Sequence, residues 1–230
     1  STTVANAYIA PMMVTYLEAL ERRIREHKVT SDALYVMQSN GGVARIASVT
    51  PVTTVLSGPC AGAMAAMQIA STAGYSNAVS LDMGGTSTDI ALGQQGRVLE
   101  TTTGRIGDWE LAVPMLMINT IGAGGGTIAT VESGGGLRVG PESAGADPGP
   151  VSYGRGGKQP TVTDANLVLG FLNSESKLAG RVALDKASAE KAINEMGDRL
   201  GLSTLEAAEG IIRIVNAKME EGIRAVSTEQ

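Results

Sequence analysis

The 230-residue sequence carries one cysteine, Cys60, and one histidine, His27. No internal disulfide, thiolate zinc cage, histidine-rich metal site or Cys–His dyad can be assembled within this chain. Charged residues are only 18% of the total and the formal charge is −5; the sole basic cluster is Arg22-Arg23-Ile24-Arg25. That balance argues against a nucleic-acid or anionic-membrane partner and leaves a small molecule or another protein. No apolar run approaches the ~20 residues needed to span a bilayer, and the first residues lack the basic, apolar, small-residue order of a secretion signal. A reducing cytoplasm is therefore the expected compartment.

What the sequence has in quantity is glycine, 30 residues, and a 43% hydrophobic content. The second is enough for a buried core in one large or two small domains. The first implies many tight turns or close approaches. Ile9, Met12, Met13, Tyr16, Leu17, Leu20 and Ile24 recur at helical spacing near the start, and Leu205, Ala208, Ile212, Val215, Met219, Ile223 and Val226 do so near the end. With no initiator Met and no glycine cap on the last helix, residues 1–230 read as a central fragment of a longer protein, cut at both ends, with a sub-boundary near residues 74–78.

Between the helices, Ala33 to Met37 reads as a strand, Ser39-Asn40-Gly41-Gly42 as a turn and Val52 to Leu56 as a short apolar element. Small residues from Ala61 to Ala73 suit a helix packed close to a sheet. Strand-like segments follow at Val79–Leu81, Thr88–Leu92, Arg97–Thr101, Met117–Ile121 and Thr127–Val131. Residues 133–160, rich in Gly and Pro, read as a long ordered loop or exposed excursion. Helices resume after Thr163, with Val162-Thr163-Asp164 as a cap. Cys60 and the pairs Met12-Met13 and Met115/Met117 read as packing, Trp109 as a core or interface anchor, and His27 as a surface or helix-end residue.

The most informative string is Leu81-Asp82-Met83-Gly84-Gly85-Thr86-Ser87-Thr88-Asp89-Ile90. A strand ending in Asp, a two-glycine turn and a hydroxyl-rich return strand present N–H groups and hydroxyls to one point beside carboxylates. Such a hairpin suits a phosphate chain with Mg²⁺. Gly84, Gly85, Thr86, Ser87 and Thr88 are the candidate phosphate contacts; Asp82 and Asp89 are the candidate catalytic acids, with Asp82 also a candidate to hold Mg²⁺ through water. The plainer reading is a hairpin whose turn needs glycine and whose Asp and Thr side chains cap their own backbone. Gly122-Ala123-Gly124-Gly125-Gly126-Thr127 lacks the third-glycine spacing of a dinucleotide fingerprint, and strand follows it where a helix should open. Gly124 and Gly125 either lie against a ligand or serve a tight inter-strand crossing. Glu142 and Asp147 sit on a proline-restricted loop that suits presentation of carboxylates to a ligand or to solvent. Arg155 suits a phosphate, a carboxylate or an ion pair with Asp147. Asp164 either enters a cleft or caps a helix.

The Asp82–Asp89 string resembles a phosphate loop of the actin, sugar-kinase and heat-shock-ATPase superfold. The surrounding chain resembles the hydantoinase A and 5-oxoprolinase family, which includes N-methylhydantoinase A and acetone carboxylase β-type subunits. The blocks that carry this are Ser39–Gly42, Ser57-Gly58-Pro59, Asp82–Asp89, Thr120–Gly126, Gly140–Pro150, Tyr153–Gly157 and Pro160–Asn166, in the family's order over about residues 35–170. The resemblance implies a mixed α/β fold, part of a ribonuclease-H-like lobe, with a β-rich middle and flanking helices. It implies ATP and Mg²⁺ or another divalent cation as cofactors, and a hydantoinase B-type partner subunit. The implied chemistry is opening of a cyclic amide, hydantoin or 5-oxoproline in type, after phosphorylation of its carbonyl oxygen, a transfer that removes the amide resonance. The alternatives are the ATP-handling subunit of an acetone-carboxylase-like enzyme, acting on a ketone, and a catalytically silent scaffold.

Two departures from the family pattern bear on this. The family's separate Gly-Gly-Thr hairpin and its glycine-rich adenine-side motif do not occur in these residues, so the fragment alone is expected to bind ATP weakly and turn nothing over. Where the family commonly shows an Asp and a His two residues apart, this sequence has Met117 and Asn119. Methionine cannot replace a carboxylate toward a hard divalent ion, and no metal ligand is assigned to that stretch.

Overall fold

A computed structural model describes residues 1–29, 34–107, 109–175, 177, 180 and 182–228. It is mixed α/β. In chain order the elements are α1 (Thr2–Glu26), β1 (Tyr35–Met37), β2 (Val43–Arg45), α2 (Ser57–Thr72), β3 (Ala78–Met83), β4 (Thr88–Gln94), β5 (Arg97–Val98), β6 (Glu100–Thr101), β7 (Gly104–Ile106), β8 (Trp109–Leu111), β9 (Met115–Leu116), β10 (Ile118–Ile121), β11 (Thr127–Val131), β12 (Leu137–Ser143), α3 (Val162–Val168), α4 (Lys186–Leu200) and α5 (Thr204–Ser227). The chain divides into two compact units, one of residues 1–82 and 90–119, the other of residues 83–89 and 120–230. Residues 74–78 form the turn from α2 into β3, inside the first unit.

In the first unit, β1 and β2 pair antiparallel with Val36 opposite Ala44. The buried side of α2 places Cys60, Ala63 and Met67 against Ala91, Val98 and Leu116. Met67 fills the space a Cβ would need at Gly93, so this glycine sets how closely the helix can approach the strand. A second cluster joins Val52, Leu111, Val113 and Met115 with Ala5 and Ile9 of α1.

Several expectations shift here. The 51–54 segment is a 3₁₀ turn, and α2 begins at Ser57, four residues earlier than the small-residue run suggested. The 97–101 segment is split into β5 and β6, and Ala33 lies outside the described residues. Cys60 is fully buried and donates its thiol to the Ser39 carbonyl, and His27 caps the end of α1. Of the α1 stripe only Leu17 is buried; Met12 is 70% exposed and Tyr16 60%, so Met12 does not pack as expected. Trp109, read as a core or interface anchor, is 68% exposed and is not part of this core.

In the second unit, β11 and β12 form an antiparallel pair with Ala129 opposite Val139 and a bulge between Thr127 and Ala129. α3, α4 and α5 cover it, burying Val139, Leu167, Ile193, Ile211 and Val215. Both long helices begin with a side-chain cap: Asp185 accepts from the Ser188 N–H, and Ser203 forms a reciprocal capping box with Glu206. β12 occupies part of the stretch read from sequence as loop. α3 starts at Val162 with Thr161 as its cap, two residues before the expected position.

Candidate functional site

The hairpin of residues 83–89 and the glycine loop of residues 120–126 belong to the same unit. The turn is closed by the Gly84 N–H, which donates to the Ser87 carbonyl at 2.8 Å. From the glycine loop, the Gly125 N–H donates to the Gly84 carbonyl at 3.0 Å and the Gly126 N–H to the Gly85 carbonyl at 2.6 Å. The loops approach so closely that a Cβ at Gly124 would stand 2.7 Å from the Gly85 carbonyl carbon and from the Thr86 nitrogen. Both turn carbonyls are thus consumed by the protein. The N–H groups of Gly85, Thr86 and Ser87 meet no acceptor among the described residues. Successive free N–H groups at an exposed turn make an anion-binding concavity. A Cβ at Gly85 would meet nothing within 4 Å, so the turn is open at that point.

Other residues of the unit hold this pair of loops. The Thr88 hydroxyl, fully buried, donates to the Ala123 carbonyl. The Gly124 N–H donates to the Thr127 hydroxyl at 2.7 Å. Thr163 donates to the Gly125 carbonyl through both its N–H, at 2.7 Å, and its hydroxyl, at 2.8 Å. Ser143, at the end of β12, places its hydroxyl 3.5 Å from that of Thr86 and accepts from the Gly145 N–H at 3.2 Å. Asp89, half-buried, receives the Thr120 hydroxyl on Oδ1 at 2.6 Å.

The residues singled out from sequence separate accordingly. Gly84, Gly85, Thr86, Ser87 and Asp89 stand together at the turn. Asp82 belongs to the first unit, where its Oδ2 lies 3.0 Å from the position a Cβ would take at Gly62. Thr88 is corrected from a phosphate contact to a brace, because its hydroxyl is buried and spent on Ala123. Gly124 and Gly125 have their N–H groups committed to Thr127 and Gly84, so they support the hairpin in place of offering donors to a ligand. Of the two readings of Asp164, cleft carboxylate or helix cap, the structure shows the cap: it forms a reciprocal capping box with Thr161 at the start of α3. It is fully buried, and its oxygens accept from the N–H groups of Val151, Ser152 and Thr161 and from the Thr161 hydroxyl at 2.8–3.2 Å. Glu142 lies in an exposed ion pair with Arg138 at 3.4 Å. Asp147 and Arg155 are exposed, and no ion pair joins them among the described residues. Thr120 and Ser143 did not stand out in the sequence, and Thr163 did so only as part of a helix cap. Their signal was present as hydroxyl residues bordering the glycine-rich blocks.

Among the described residues, no three or more His, Cys, Asp or Glu side chains gather closely enough to hold a metal ion. No described helix is long and apolar enough to cross a membrane.

Residues 1–230 match a family model described as hydantoinase/oxoprolinase. The caprolactamase subunit alpha of Pseudomonas jessenii is 43% identical over 233 residues, covering all of this chain and 33% of that protein. The crystal structure of the ATP-dependent caprolactamase from Pseudomonas jessenii is 42% identical with a TM-score of 0.78, covering 99% of this chain and 33% of the other. A nucleotide-free acetone carboxylase structure, 30% identical, gives a TM-score of 0.87 over 97% of this chain and 32% of the other. The chain therefore spans about a third of the length of these relatives.

Proposed function

Because the chain belongs to the hydantoinase/oxoprolinase family, we propose that it is the segment of an ATP-dependent cyclic-amide hydrolase that grips the nucleotide's phosphates, on a lobe of the actin, sugar-kinase and heat-shock-ATPase superfold. The observation that carries this is the row of unbonded N–H groups at Gly85, Thr86 and Ser87, held outside the protein's own hydrogen bonding by Gly125 and Gly126. Backbone donors fixed in this way cost no reorganisation when charge develops on a transferring phosphoryl group. ATP supplies that group, and the acceptor is the carbonyl oxygen of a lactam ring. Once the oxygen carries phosphate, amide resonance is lost; one water adds to the carbon, the ring C–N bond breaks with a proton passing to the departing amine, and the acyl phosphate left behind takes up a second water to give the carboxylate and inorganic phosphate.

In this reading Asp89 orients the reacting oxygen and is the carboxylate of this unit available to Mg²⁺ or another divalent cation. The donor set suits such an ion: oxygen ligands alone, few in number, are how magnesium is held when phosphate oxygens and water complete its shell. Thr86 and Ser87 add hydroxyls to the phosphate side. The likeness to a relative named as a subunit supports a heteromeric assembly, with a hydantoinase B-type partner.

The TM-score of 0.87 against acetone carboxylase favours a second reading, in which the same phosphate grip serves carboxylation of a ketone. The full-length enzyme, assayed for ATP hydrolysis with 5-oxoproline, hydantoin, a larger lactam, or ketone plus bicarbonate, separates the two. Stimulation by a cyclic amide is the expected result. Stimulation by ketone and bicarbonate alone moves the assignment to the carboxylase, and stimulation by none leaves a silent scaffold.

A further inference from the structure

The Asp89 carboxylate is held on one side only. Oδ1 receives the Thr120 hydroxyl at 2.6 Å, while Oδ2 has no donor among the described residues. The backbone around both groups is fixed. Thr88, next to Asp89, is buried and tied to Ala123, and Thr120 lies within β10, which pairs with β4. The torsion that turns a carboxylate plane is broad and two-fold, so an aspartate without a donor samples many orientations. A single short bond to a side chain with a stiff, β-branched χ1 removes that freedom.

We infer that Thr120 is a positioning residue for Asp89: it engages Oδ1 and so aims Oδ2 as the working oxygen of the site. This rests on the reading of the hairpin as the place of phosphoryl transfer. Pre-setting the angle of a reacting group lowers the barrier without tightening substrate binding. Loss of the hydroxyl should therefore appear in kcat and leave KM for ATP almost untouched.

The test uses the full-length enzyme and its ATP hydrolysis, with and without a cyclic amide. Thr120→Val keeps the shape and removes the donor. It is expected to lower kcat about tenfold, the size set by one hydrogen bond to a charged group, with KM for ATP within about twofold of the parent and an unchanged unfolding midpoint. Thr120→Ser, which restores the hydroxyl, is expected to recover most of the rate. In an Asp89→Asn background, Thr120→Val is expected to add nothing, because the group it acts through is gone. An unaltered kcat in Thr120→Val overturns the inference. So does a loss that persists in the Asp89→Asn background, or a failure of Thr120→Ser to recover the rate. If Asp89→Asn itself turns over at the parent rate, or the parent shows no ATP turnover, the reading of the hairpin falls and this inference falls with it.

Discussion

A methyl group at position 124 would meet peptide atoms of Gly85 and Thr86 at 2.7 Å, a distance that real Cβ atoms do not show. The neighbours are backbone, which cannot swing aside as a side-chain tip can, so the substitution must push the two loops apart. Gly124→Ala is expected to lengthen the Gly125–Gly84 and Gly126–Gly85 bonds and to destabilise the second unit by about 1–3 kcal/mol, the usual range for overpacking. A denaturant midpoint measures this; an unshifted midpoint would show the loops to be freer than they stand here. Asp164 tests the opposite kind of role. Four donors converge on its carboxylate in a site closed to solvent. Asp164→Asn would turn an amide N–H₂ toward some of those donors and leave buried groups unpaired, each costing about 1–3 kcal/mol. The expected result is a chain several kcal/mol less stable, or insoluble, in which Thr161 and the 151–153 turn lose their anchor. A soluble variant of parent stability would return Asp164 to the list of ligand candidates.

At the scale of elements, the helix starts of the second unit make stability depend on pH. Asp185 sits below the ordinary aspartate range because the Ser188 hydroxyl, then the Ser188 N–H, bond its charged form; Glu206 is lowered in the same way by the Ser203 hydroxyl and N–H. A carboxyl whose folded value is depressed contributes stability that is fully present above its unfolded value and is lost as pH falls through the folded one. Between neutrality and about pH 5 the contribution should be constant. On further acidification α4 and α5 should lose their caps. Ser188→Ala and Ser203→Ala are expected to flatten that acid limb in denaturation curves taken from about pH 6 to 3; an acid limb identical to the parent's would assign it to other carboxylates.

The same elements show what could be read in advance. β11 was legible to the residue, because four of the five residues Thr127–Val131 are β-branched and the run follows directly on Gly126. β12 was not, because Gly140 and Pro141 stand in its middle, and those residues mark turns unless a partner strand overrides them. α1 was found as a helix, yet its periodicity did not say which apolar residues would be covered within these residues: Tyr8, Met12 and Tyr16 are exposed. At the turn, the glycines and Asp89 could be singled out from local spacing alone. The cap role of Asp164 was also open to a local reading, because its partner Thr161 is three residues away, but the roles of Thr88 and Thr120 were not, since each is decided by a partner that the sequence places elsewhere. Thr120 meets an acid 31 positions away, and Thr88 meets a carbonyl 35 positions away.

For the whole molecule, the question is how much of the nucleotide these residues can hold. The chain spans about a third of the relatives' length, and the phosphate grip proposed for it consists of backbone donors at Gly85, Thr86 and Ser87 in an exposed turn. Exposed hydrogen bonds to a charged group contribute about 1.5 kcal/mol each at the lower end of their range, and three of them come to about 4–5 kcal/mol before any ordering cost. A Kd of 1 mM corresponds to about 4 kcal/mol. Titration of residues 1–230 with Mg-ATP by calorimetry is therefore expected to give a Kd in the millimolar range and no turnover, with the full-length enzyme binding at least about a hundredfold tighter, a gap of about 2.7 kcal/mol. Inorganic triphosphate should compete about as well as ATP for the isolated chain, because the proposed grip engages phosphate and not the base. Micromolar affinity, or a clear preference for ATP over triphosphate, would mean that these residues also hold the nucleoside, and would move the adenine side of the site into the present chain.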